Sequence, residues 1–245
     1  MQVYRELDEL VESVAEYLAS GFERGEPAIV IATKENLRAF LQRLATTGYE
    51  PGRLESDGLL TVHDAEATLA AIMPDGYPSS GRFEETVGGA IDTIAAQFPQ
   101  RRIRAFGEMV DLLVARGEPD AADSLEELWN SLARAREFSL LCGYHLDVFD
   151  RSAQAGALRD LCRTHSHVLP AASTARLSRA VDQALEEVLG QAEAGKIYVV
   201  VGDELSNRHV PAPQLVLMWI AEHMPSLADR IFAVARSRYD AALPA

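Results

Sequence analysis

The chain has 245 residues, 48% of them apolar, and its 37 acidic and 23 basic side chains give a formal charge of −14. That balance suits one full core with a small second unit, and it disfavours nucleic-acid binding through the general surface, which needs clustered Lys and Arg. No run of about 18 uninterrupted apolar residues marks a membrane span, and the acidic, amphipathic amino-terminal stretch does not read as a secretory signal, so a soluble, cytoplasmic protein is expected.

Residues 6–24 predict a helix, with Leu7, Leu10, Val11, Val14, Leu18 and Phe22 on one face and Gly25 where a carboxyl-terminal glycine belongs. Ala28 to Ala32 is a short, β-branched, continuously apolar run, the pattern of a strand covered on both faces. Residues 35–47 return to helical spacing through Leu37, Phe40, Leu41 and Leu44, and Gly48 ends that element.

The alternation repeats. Leu59 to Val62 is a second strand, and Asp64 can cap a short helix containing Leu69. A Pro-, Gly- and Ser-rich loop spans 74–82, and Phe83, Val87, Ala90, Ile91, Ile94 and Phe98 mark an amphipathic helix. Ile103 to Phe106 is a third strand, followed by helices through Met109 to Leu113 and over 121–136. Phe138 to Cys142 is a further strand. Strands alternating with helices predict an α/β fold: a mostly parallel sheet with helices on both faces.

After Pro170 the character changes. Residues 173–194 predict one long helix, Ile197 to Val201 a strand, Pro211 and Pro213 the start of another helix, and about Ser226 to Tyr239 a last one. Two domains follow, an α/β unit over 1–170 and a mainly helical extension over 171–245 for docking or dimerisation, the long helix suiting a homodimer.

Familiar catalytic motifs are missing. The turn after the first core strand, Ala32-Thr33-Lys34-Glu35-Asn36, has a lysine but no glycines to wrap a triphosphate, and neither GxGxxG nor GxSxG occurs. No cofactor and no enzymatic activity are expected. Arg101, Arg102 and Arg104 form a local basic group whose simpler reading is a solvated strand edge.

Two turns can bind a small ligand at the carboxyl edge of the sheet, where open α/β sheets hold theirs. One is Phe106-Gly107-Glu108, with a carboxylate to accept hydrogen bonds and a glycine to admit a ligand against the backbone. The other brings Tyr144 and His145 after Cys142-Gly143. The plainer account makes Glu108 a helix-dipole partner, Tyr144 a packed ring with a wet hydroxyl and His145 an exposed side chain. His165 and His167 offer two metal ligands, with His63 and His145 as further candidates, but nothing completes a site, and His165 also reads as a helix-ending histidine. Cys142 lies in an apolar strand that raises its pKa, and Cys162 lies beside Arg163 and His165, a slightly more reactive setting.

The order of several stretches resembles a known family. They are Gln2-Val3-Tyr4, Gly25-Glu26-Pro27 before Ile29-Val30-Ile31-Ala32-Thr33, Leu60-Thr61-Val62-His63-Asp64-Ala65, Arg104 to Val110, Leu125 to Asn130, Phe138 to Tyr144, and His165 to Pro170. Together they are similar to the MEDS sensory domain of methanogen and methylotroph regulators, over roughly residues 1–170. The resemblance implies a divergent relative of the RecA/KaiC-type ATPase core. It also implies a sensory role in signal transduction of the two-component kind, responding to a small organic ligand and coupled to a histidine kinase or transcription regulator; charge and hydropathy, as read above, argue for no nucleic acid and no membrane among its partners. The alternatives are a pure protein-interaction adaptor and a degenerate RecA-like NTPase.

Overall fold

The computed structural model describes residues 1–155, 174–205 and 210–242. Within them the chain forms two compact units, Leu10–Tyr144 and a second that joins Met1–Glu9 to His145–Ala245.

In chain order, a three-residue strand β1 (Gln2–Tyr4) precedes helix α1 (Leu7–Phe22), strand β2 (Ala28–Ala32), helices α2 (Lys34–Thr46) and α3 (Pro51–Ser56), and strand β3 (Leu60–Asp64). Helices α4 (Ala65–Ile72) and α5 (Ser80–Phe83) follow; a π-helical turn over Glu84–Gly88 joins α5 to α6 (Gly89–Gln97). Strand β4 (Ile103–Gly107), helices α7 (Met109–Ala115) and α8 (Pro119–Ala135), and strand β5 (Phe138–His145) complete this run.

In the Leu10–Tyr144 unit these strands pair in the order β5-β4-β2-β3, every pairing parallel. All five residues of β2 are buried, as its unbroken apolar run requires. Register assigns the faces. Val30, Phe106 and Leu141 lie in one row, while Ile31, His63, Gly107 and Cys142 lie in another on the opposite face. Phe40 of α2 meets Phe106 edge-on at 5.2 Å, and Leu10 of α1 packs at Gly143, covering the first face. Trp129 of α8 lies against Gly107 and Phe138, covering the second. Helices on both faces follow from right-handed crossovers that run from β2 one way to β3 and from β4 the other way to β5.

Arg104, one of the three clustered arginines, is tied into this packing. Its Nε donates to Glu26 at 2.7 Å, its Nη1 to the Tyr17 carbonyl at 3.0 Å, and its guanidinium lies 4.6 Å from the Tyr17 ring centroid. Gly21 makes room: a Cβ there would sit 3.0 Å from the Arg104 side chain.

The other unit contains helices α9 (Arg151–Ala155), α10 (Thr174–Leu189), α11 (Gln191–Leu205), α12 (Ala212–His223) and α13 (Pro225–Ala241). Val181, Leu185, Val216, Leu217, Ile220 and Ile231 form the centre of its core. Its amino-terminal segment is bound in by charge. Arg5 reaches Asp240 at 3.0 Å and sits over the Phe149 and Tyr239 rings, and Glu9 accepts from Arg176 at 2.8 Å and from the Tyr239 hydroxyl.

Two expectations are corrected here. The long helix over 173–194 breaks at Gly190, which adopts φ +84° and separates α10 from α11. The expected strand Ile197–Val201 is helical: Ala194, Ile197 and Val201 recur at helical steps on the buried side, leaving Val199 and Val200 facing outward. Five consecutive apolar residues fit either element, and here packing of one helical face outweighs β-propensity.

Candidate functional site

Strand order reverses direction between β2 and β4, because the chain leaves β2 for β3 on one side and later returns to β4 on the other. A crevice at the carboxyl ends of those two strands is where open α/β sheets hold ligands. Here it is closed by the chain itself. Thr33 follows β2 in extended backbone and caps α2, its hydroxyl accepting the Asn36 N–H at 3.3 Å. The Thr33 N–H donates to Glu108 Oε1, and Asn36 Nδ2 donates to Glu108 Oε2 at 2.8 Å. The backbone N–H of Glu108 donates in turn to the Ile31 carbonyl at 3.2 Å, extending the β4–β2 pairing beyond the strands.

The Glu108 side chain thus fills the seat that the positive end of α2 offers to an anion. The residue is 2% exposed. Burial pushes its pKa above the ordinary carboxylate value, while the donors from Asn36 and Thr33 pull it back only in part. At the neighbouring corner Asp64 caps α4 by accepting the Ala67 N–H at 2.8 Å. Lys34, almost fully exposed, lies 3.9 Å from Asp64 and points no ammonium into the crevice.

The other predicted ligand residues scatter. Phe106 is fully buried under Phe40. Gly107 faces Trp129, whose ring lies 3.5 Å from where a Cβ would be, so it packs a helix closely and offers no approach to a ligand. Tyr144 is buried, and strand alternation puts it on the face opposite Phe106. His145 belongs to the other compact unit, where Nε2 lies 3.0 Å from the Arg5 carbonyl and the ring 5.4 Å from that of Tyr4.

Among the described residues no group of His, Cys, Asp and Glu can hold a metal ion. His63 is half-buried on β3, and burial lowers its pKa. His165, His167 and Cys162 lie outside the described residues. Cys142 is a buried free thiol whose pKa burial drives far up, which suits packing and not nucleophilic attack.

Thr33 and Asn36 are the members that reading for a phosphate loop passes over. Their signal is nonetheless present: a threonine directly after a core strand, followed by a helical pattern, marks a cap.

Among the described residues no helix is long and apolar enough to cross a membrane. No curated protein and no solved structure matches the chain. The family model described as MEthanogen/methylotroph, DcmR Sensory domain (MEDS) matches residues 1–166. Since that is more than half of the chain, the protein belongs to the MEDS family of sensory domains.

Proposed function

We propose that this sensory domain works by binding alone. It responds to a small ligand or a partner regulator, turns over no nucleotide, and leaves any phosphotransfer to a separate histidine kinase or transcription regulator. One observation carries the reading: the anion seat at the start of α2 is filled by the Glu108 carboxylate, held from Thr33 and Asn36. A nucleotide phosphate entering there meets a buried negative charge, no glycine cradle and a lysine turned toward Asp64.

The test is a paired assay of ATP and GTP binding and hydrolysis on the parent chain and on Glu108→Gln. No nucleotide binding and no turnover are expected in either. Saturable turnover by the parent chain that Glu108→Gln abolishes would instead support the degenerate NTPase. Burial of both Phe106 and Tyr144 favours a second reading, the pure interaction adaptor, since neither ring is left to line a crevice. Co-purification with a kinase or regulator and no response to any small molecule would support that reading.

A further inference from the structure

With the carboxyl edge closed, the opposite edge of the same unit carries an open cleft of about 640 Å³, within the range of small-molecule sites. It lies where the chain enters β4 and β5. Its floor is apolar, made by Ile91, Phe98, Ile103 and Phe138. Its charged rim carries Arg101, Arg102 and Arg136 together with Asp92 and Glu137.

These arginines differ in what already occupies them. Arg136 is committed: Nε and Nη2 engage Asp92 at 2.7 and 2.9 Å, and Nη2 also reaches Glu84. Arg101 is anchored through Nη1 to the Arg24 carbonyl at 3.0 Å, with its guanidinium lying over Gly25. Arg102 is exposed and makes no hydrogen bond or ion pair among the described residues. The residue just before them, Gln100, has φ +66° and is the only non-glycine residue with a positive φ among the described residues. Left-handed backbone is strained at a side chain with a Cβ, and such strain gathers at binding sites. The turn it makes carries Arg101 and Arg102 to the cleft.

We infer that this cleft binds a small organic carboxylate with an apolar body. The guanidinium of Arg102, supported by Arg101, pairs with the carboxylate in the forked geometry arginine favours, and the hydrocarbon part rests on Phe98, Ile103 and Phe138. On a chain of charge −14, three arginines against two carboxylates around one cleft are a local excess of positive charge, which favours an anion there. Asp92 and Glu137 are the opposing charges in the same lining; Asp92 is taken up by Arg136, and Glu137 works against affinity. The inference supplies the input for the binding-only reading above and rests on it for its biological sense.

Calorimetric titration of the full chain with benzoate, its neutral analogue benzamide and inorganic phosphate tests this. Saturable benzoate binding is expected, with benzamide and phosphate much weaker. Arg102→Gln is expected to weaken benzoate about tenfold, the worth of one charge-assisted pair, and Glu137→Gln to tighten it. Amide chemical-shift changes on titration should concentrate on residues 91–103 and 133–138. Equal binding of benzoate and benzamide, phosphate binding as tight as benzoate, no effect of Arg102→Gln, or shifts centred on Thr33 and Glu108 would each overturn the assignment. So would the absence of benzoate binding, and that result would leave the nucleotide test untouched, because turnover is read at the other edge of the sheet.

Discussion

Replacing Glu108 with alanine removes the single side chain that serves both Thr33 N–H and Asn36 Nδ2. Each stranded donor costs about 1–3 kcal/mol when buried. Thr33 and Asn36 are only half-buried, so water recovers part of that, and the buried carboxylate no longer has to be desolvated. The net expected loss is about 1–3 kcal/mol at neutral pH, read as a lower midpoint in urea with an unchanged slope. Glu108→Gln should lose less, under about 1 kcal/mol, because its carbonyl still accepts from Thr33 and Asn36 can turn its amide to face the new NH₂. The pH dependence separates the two effects. Burial raises the folded-state pKa of Glu108, so the folded chain holds this proton to higher pH than the unfolded chain. The stability it contributes is full below the ordinary carboxylate pKa and falls as pH rises from there through the raised value. Parent stability should therefore decline across that window relative to Glu108→Gln, which has no such proton. If Glu108→Ala matched the parent at every pH, the carboxylate would not be holding the β2–α2 corner and the reasoning would fail.

Other substitutions test the surrounding structure. Glu12 accepts from Arg43 Nε and Nη2 at 2.6 Å each, which holds its carboxyl below the usual range. Glu12→Gln should cost about 0.2–1 kcal/mol near neutrality, and the difference should vanish as pH falls through that lowered pKa, as denaturation at several pH values would reveal. Arg104→Ala leaves Glu26 with Arg24 alone, removes the second donor to the Tyr17 carbonyl and takes the guanidinium from the Tyr17 ring, an expected loss of about 1–2 kcal/mol in urea denaturation. Two glycines should respond with opposite signs in thermal melts. Gly190→Ala forces a Cβ into φ +84° and should destabilise by about 1 kcal/mol, whereas Gly195→Ala, inside α11 with open space around it, should stabilise by about 0.5–1 kcal/mol.

Much of the α/β unit can be read from the chain. β2 declares itself because a central parallel strand is covered on both faces and so is apolar at every position, and Gly25 and Gly48 mark the ends of α1 and α2 by the positive φ that each adopts. The cap at Asp64 is equally local, since the side chain reaches backbone only three residues away. By contrast, the six residues of α3 show too little periodicity to predict a helix, and the all-apolar run Ile197–Val201 has no period to tell strand from helix.

What the sequence settled alone was therefore local: which residues alternate, where turns must fall, that no glycine-rich phosphate loop exists, and the likeness to a sensory family. Which groups meet was decided by tertiary structure. Glu108 lies 72 residues from Asn36, and no periodicity encodes that pairing. It exists because β2 and β4 are hydrogen-bonded neighbours, a matter of strand order. The same ordering put Phe106 and Tyr144 on opposite faces. It also opened the cleft beside Arg102, because the turns entering β4 and β5 come together only after the sheet has formed.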